Sequence, residues 1–384
     1  MIHWLNERVQ ALHDEIGRLN LHTFRNLTLW MGVPGMAVFA ANASSRRWVD
    51  ASGELPQRLM AHVLDFYATQ PPLNLYRYVW SLWAARHVDQ CIGDIENSRF
   101  CDDLDTLLLE HVAALDHWPL GYDLVSGLLA TGVYALSLKD SSVGVELRAE
   151  VLRLLMGLAV PANGGLVWRT EPGQNHSTLM DRHPGGYHDL GLAHGNAAVL
   201  LYLASACEQP EAPAACREWL YSAALSLSEM RNPEGSSCSF SAAAEERGRP
   251  ERSAWCYGDL GVAWALSRAA QCLQSDQLTV SSREVLSRMA SRSWSDLGLD
   301  DVTLCHGAPG LAHMAGVLCR ATGAEAVSGM VALRDLALER SRRAAQAGRG
   351  GDMSYLEGRA GQLLALMDAQ QPLASAWDFP MMLA

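Results

Sequence analysis

One phrase recurs along this chain: a glycine, two residues, a second Gly or Ala, then an apolar run with helical spacing. It reads SGLLATGVYAL from Ser126, HGNAAVLLYLA from His194, YGDLGVAWALS from Tyr257, HGAPGLAHMAG from His306 and EGRAGQLLALM from Glu357. The leading glycines, Gly127, Gly195, Gly258, Gly307 and Gly358, recur at intervals of roughly 50 to 70 residues, so the chain is read first as a repeat architecture. Between the copies lie more polar, amphipathic stretches at 143–158, 214–230, 278–291 and 327–345. Each unit therefore reads as an amphipathic helix, a loop and a helix apolar all round, which must be covered on every side. Helical hairpins of this kind stack as an open solenoid or close into a ring. Closure is expected here, because the polar residues sit at the same end of every apolar helix. A ring aims those loops at one basin; a solenoid spreads them along a ridge. Ala130, Ala198, Gly261, Gly310 and Gly361 hold the second small position, which suits close approach of crowded helices.

The expected fold is thus all-α, an α,α-toroid forming one domain over 1–384. The segment 159–189, rich in Gly and Pro, breaks the pattern and reads as an irregular or small β insertion. A second long loop spans 231–252 and leads into the Cys256 motif. The N-terminal hairpins, over about 1–120, carry weaker signals. A helix is expected over 7–19, a loop over 32–53, and a helical pair at 54–70 and 73–89 divided by Pro71-Pro72; the first unit, near 76–85, lacks the glycine motif.

With 384 residues, 49% of them apolar, the chain can bury a large core. Its net charge of -12 argues against nucleic-acid binding through a bulk field. No signal peptide and no apolar stretch of membrane-spanning length is present, so a cytoplasmic protein without an integral membrane segment is expected. In a reducing compartment its nine cysteines read as metal ligands or core residues before disulfides.

Two of those cysteines stand out. Cys256, in SAWCYG, and Cys305, in TLCHG, lie one repeat apart, each just ahead of an apolar helix, and His306 follows Cys305 directly. Two thiolates and an imidazole make a zinc site with one tetrahedral position open, as catalytic zinc requires. The bland alternative, small buried cysteines and a capping histidine, does not account for their matching places in successive repeats. His194 holds the equivalent place one repeat earlier, as a fourth ligand or as an acid/base beside the metal. Tyr257 and Arg252 flank the motif; Arg252 is a candidate to stabilise developing negative charge, or a solvated loop cation beside Arg247 and Arg249. Asp123 is a candidate to orient His194, or a capping aspartate. His176, His183 and His188 match no familiar ligand template, and Arg340, Arg342 and Arg343 read as a solvated helix face.

GLAHG at 191–195, SAWCYG at 253–258 and TLCHG at 303–307, in that order among the Gly-x-x-Gly/Ala helices, resemble the lanthionine synthetase C-like cyclases. The resemblance runs from about residue 70 to the end. It implies a toroid of seven outer and seven inner helices and one zinc ion held by Cys256, Cys305 and His306. It further implies His194 as acid/base, with Asp123, Arg252 and Tyr257 lining the active site. The implied activity is addition of peptide cysteine thiols to dehydroalanine or dehydrobutyrine, closing thioether rings in a lanthipeptide precursor. The implied partners are the dehydrated precursor peptide, a separate dehydratase and an exporter complex, beside which a cytoplasmic, stand-alone cyclase could sit peripherally at a membrane. Competing readings are a non-catalytic zinc-binding peptide scaffold, addition of a small thiol such as glutathione, and a zinc-dependent prenyltransferase subunit. The last needs a basic diphosphate-binding cluster that a chain with Lys139 as its only lysine does not suggest.

Overall fold

The computed structural model describes all residues except 1, 2, 50–52, 70–75, 77, 95, 140, 163, 175–177, 300, 374 and 384. Pro71-Pro72 and His176 thus lie outside the described residues. Among the described residues seven helices are amphipathic: α1 (His3–Gly17), α3 (Glu54–Thr69), α5 (Glu96–Ala113), α7 (Ser142–Gly157), α10 (Cys216–Glu229), α12 (Asp276–Ala290) and α14 (Met330–Gln346). Seven more alternate with them and are largely buried: α2 (Val33–Ser45), α4 (Val79–Ile92), α6 (Leu128–Ser137), α9 (Asn196–Cys207), α11 (Asp259–Leu273), α13 (Ala308–Thr322) and α15 (Arg359–Gln370). The remaining helix, α8 (Thr178–Arg182), lies in the insertion. The insertion also holds a hairpin of β1 (Val160–Ala162) and β2 (Gly165–Val167), antiparallel with Val160 opposite Val167. Bridges at Thr170–Tyr187 and Asp189–Ala243 then tie it to its own start and to the 231–252 loop. Among the described residues no helix is long and apolar enough to cross a membrane.

The segment read as loop from 32 to 53 is corrected. It opens with α2, a buried helix with Gly32 as its N-cap and Pro34 in its first turn. Proline there loses no helical hydrogen bond, so what reads as a breaker is a start signal. Gly32 and Gly35 make it a sixth copy of the repeat.

The repeat has a steric cause. The loop before five of the buried helices folds back, and the N–H after the leading glycine meets the carbonyl six residues before that glycine. Val33 bonds Asn26 (3.1 Å), Leu128 bonds Gly121 (3.1 Å), Asn196 bonds Asp189 (2.8 Å), Ala308 bonds Asp301 (3.2 Å) and Arg359 bonds Asp352 (2.8 Å). A Cβ on Gly32, Gly127, Gly195 or Gly258 would stand 2.2, 2.3, 2.4 or 1.7 Å from that carbonyl oxygen, nearer than any real side chain comes. In four copies the residue at the loop's start is Asn or Asp, and its Oδ1 accepts the N–H two residues on: Asn26 from Thr28, Asp189 from Gly191, Asp301 from Thr303 and Asp352 from Ser354. These side-chain turns fix the loops.

The chain forms two compact units. The first comprises Met1–His111, Asp301–His313 and Asp335–Ala384. Its loops are joined by hydrogen bonds from Leu304 and Cys305 N–H to the Leu356 carbonyl, and from Leu356 N–H to that of Trp30. Trp30 packs edge-on against Trp80, and Arg359 grips Glu15 with both guanidinium nitrogens. The second unit comprises Val112–Asp300 and Met314–Arg334. There Leu124 N–H bonds the Ala193 carbonyl, and Leu192 and Ala193 both bond that of Cys256. Buried Asn196 locks the insertion to α9, accepting from Trp168 N–H and donating to the carbonyls of Trp168 and Asp189.

Candidate metal centre and its surroundings

Cys256 sits in the turn before α11, and only a glycine can follow at 258: φ there is +88°, and a Cβ would strike the Arg252 carbonyl. The backbone of Cys256 is pinned by Leu192 and Ala193, and its thiol is 5% exposed with the rest of the residue. Cys305 and His306 precede α13 in the matching turn. Cys305 is buried and His306 half-buried. One ligand atom from each of Cys256, Cys305 and His306 lies within 4.8 Å of the other two, and among the described residues these three form the one such group. His194 is not part of it.

His306 is oriented from behind. Its Nε2 stands 2.8 Å from Asp301 Oδ2, while Asp301 Oδ1 accepts Thr303 N–H and Oγ1–H. A ring nitrogen facing a carboxylate carries the proton, so the lone pair is on Nδ1. Burial pulls the Asp301 carboxyl upward, but the bonds from His306 and Thr303 outweigh it and hold the pKa down to about 2. A carboxylate behind a histidine is the usual support of a metal ligand. The donor chemistry fits zinc: two thiols, one imidazole with its tautomer set, and no fourth ligand in the group among the described residues.

A second group surrounds the ring of His194. Its Nδ1 lies 3.3 Å from Asp123 Oδ1. That same oxygen accepts the N–H groups of Val125 and Ser126, both at 2.9 Å, so Asp123 at once shapes the loop before α6, whose N-cap is Gly127, and partners the histidine. Burial lowers the His194 pKa, but the Asp123 bond and the charges of Asp123, Asp189 and Cys256 outweigh it, and the net shift is upward. The Tyr257 ring lies 6.3 Å from that of His194, and its hydroxyl donates to Asp189 Oδ2 at 3.0 Å. Burial raises the Tyr257 phenol well above its ordinary value, and the Asp189 charge adds to that. Asp189 is fully buried. Burial pushes its carboxyl up to about 6 against the pull of His194, Gly191 and Tyr257. Leu179, Tyr187, Ala242 and Ala243 form a small core against which Met180 and Tyr257 pack, so the insertion and the 231–252 loop wall this side.

Asp189 and Asp301 are functional neighbours that the sequence reading missed. Each stands six residues before a leading glycine, and that register was the available signal. The Arg252 Nε lies 3.5 Å from Glu251, with a side chain 40% exposed. His183 and His188 pair with Glu246 (3.2 Å) and Glu245 (2.8 Å).

A family model described as lanthionine synthetase C-like protein matches residues 81–383. The nisin biosynthesis protein NisC of Lactococcus lactis subsp. lactis is 22% identical over 335 residues, which is 82% of this chain and 79% of NisC. The solved structure of nisin cyclase matches with a TM-score of 0.79 at 21% identity, covering 98% of this chain and 96% of that one. That likeness is one of fold, and the seven buried and seven amphipathic helices agree with the α,α-toroid expected from the repeat.

Proposed function

Because the chain belongs to the lanthionine synthetase C-like family, we propose that it is a lanthionine-forming cyclase. It adds cysteine thiols of a dehydrated precursor peptide to dehydroalanine or dehydrobutyrine, closing (methyl)lanthionine rings. The observation that carries this reading is the meeting of Cys256, Cys305 and His306 within 4.8 Å. These residues would hold a zinc ion, with Asp301 keeping His306 Nδ1 turned to it. Bound there, zinc supplies a Lewis acid that lowers the pKa of a substrate thiol from about 8.5 and yields thiolate near neutral pH.

The chain's own residues manage the proton. Addition of thiolate to the β-carbon of the dehydro residue leaves an enolate, which must be protonated at the α-carbon. His194 suits that step: Asp123 takes its Nδ1–H, leaving Nε2 as the atom that gives up a proton, and the raised pKa keeps it charged nearer neutrality. Tyr257, anchored on Asp189, holds the wall beside the imidazole. Arg252, whose Nε lies against Glu251, is the further group we assign to stabilising the enolate's charge. A dehydratase must supply the substrate, and the ring-bearing product passes to an exporter.

Cys305→Ala is expected to lose both bound zinc and ring formation on a dehydrated peptide. Retention of full zinc content and the wild-type rate would sink the reading. Mass spectrometry with a competing small thiol separates ring closure, which leaves the peptide mass unchanged, from thiol addition, which raises it.

A further inference from the structure

Three cysteines outside that ligand group lie on the packed helices α9, α10 and α11. Cys207 ends α9 and Cys216 begins α10, and their Sγ atoms stand 2.6 Å apart. A disulfide bond is about 2.05 Å long. The turn 208–215 and the packing of α9 on α10 therefore hold two thiols close to bonding distance, with both cysteines unbridged. Cys216 is 1% exposed, whereas Cys207 is half-buried and reachable. Cys272, on α11, is also half-buried and interacts with Cys207. Among the described residues these three do not form a metal-holding group.

The environment favours thiolate at Cys216. It begins a helix of 14 residues, where the backbone N–H groups favour negative charge, and Arg217 follows it. A hydrogen bond from the Cys207 thiol holds the Cys216 thiol below its ordinary pKa, although burial pulls the other way. The reachable sulfur and the activated one are thus different residues in contact.

We propose that Cys207 and Cys216 form an oxidative modification site, which a small disulfide of the glutathione class converts into an intramolecular disulfide joining the end of α9 to the start of α10. The Cys207 sulfur attacks one sulfur of the reagent as its proton passes to the Cys216 thiolate, and the first glutathione leaves as a thiolate that then takes that proton. Cys216 thiolate then attacks the Cys207 sulfur of the mixed disulfide and expels the second. Two protein sulfurs are oxidised and one reagent disulfide is reduced; the Cys207 proton ends on the first glutathione, and the second takes a proton from solvent.

The test uses the zinc-loaded full chain, incubated with glutathione disulfide and analysed without reductant. Cleavage after glutamate separates the two residues, because Glu208 and Glu211 lie between them; the bond from Glu171 to Pro172 resists such cleavage, so the fragments are 151–208 and 212–218. The expected result is loss of two hydrogens from the intact mass, with those two fragments joined until a reductant is added. Cys216→Ser should instead keep one glutathione on Cys207, since nothing displaces it. A wild-type chain that stays unmodified, keeps the adduct on Cys207, or links Cys207 to Cys272 would overturn the proposal.

Discussion

Asp301 performs two tasks that one substitution separates. Its Oδ1 accepts the Thr303 N–H and hydroxyl and so shapes the turn before α13. Its Oδ2 accepts from His306 Nε2 at 2.8 Å and so leaves Nδ1 as the ring nitrogen with a free lone pair. Asp301→Asn keeps an oxygen for the turn but presents an NH2 group to a ring N–H, leaving two donors facing each other. His306 must then rotate or change tautomer, and Nδ1 is no longer held toward Cys256 and Cys305. Loss of such an outer partner lowers metal affinity about 10- to 100-fold, and at roughly 1.4 kcal/mol per factor of ten that is about 1.4–2.8 kcal/mol. Competition against a chelator of known affinity at neutral pH measures it, and melting of the metal-free protein is the control. The Asn variant should melt near wild type without metal, because the turn survives. Asp301→Ala should also lower that melting point, since loss of a side-chain cap costs about 1 kcal/mol. An Asn variant that binds zinc as tightly as wild type would refute the orienting role and leave Asp301 a turn residue only.

The neighbouring groups give three further expectations. Asp123→Asn should retain the bonds to Val125 and Ser126 but lower the His194 pKa. Ring formation should then slow by about 10²- to 10⁴-fold if the proton donor is lost outright, and the alkaline fall of the rate profile should move to lower pH; an unmoved profile contradicts the assignment. Asp189 binds its proton more tightly folded, at about 6, than an ordinary carboxyl does unfolded, so it contributes stability that is fully present below about pH 4 and lost as pH rises through 6. The loss is at most about 3 kcal/mol at 1.36 kcal/mol per pH unit, and Asp189→Asn should flatten melting temperature across pH 4–7 relative to wild type. Gly258→Ala combines a φ of +88° with a Cβ 1.7 Å from the Arg252 carbonyl, so a cost above about 4 kcal/mol is expected; a soluble variant melting like wild type would show that the loop relaxes freely.

The repeat was legible because it is enforced at two positions where nothing larger than glycine or alanine fits, so the same letters return at each copy. The ligands were legible for the same reason: Cys256 and Cys305-His306 stand at fixed offsets from those glycines. What escaped notice lies at the other end of the same loop. The residue six before each glycine is read through its carbonyl, which every amino acid has, and its side chain is free to vary: Asn26, Gly121, Asp189, Arg252, Asp301 and Asp352 all serve. A position read mainly through its backbone leaves only a partial letter, Asn or Asp in four of these six, and at Asp189 and Asp301 the side chain has other partners besides the turn. The sixth copy was hidden differently, since Pro34 inside the motif imitates a loop while satisfying the rule for a first helical turn. Arg252 shows the limit of reasoning from register alone. It stands at that same backbone-read place, so nearness to Cys256 in sequence fixes where its carbonyl goes and says nothing of its guanidinium, which the structure pairs with Glu251.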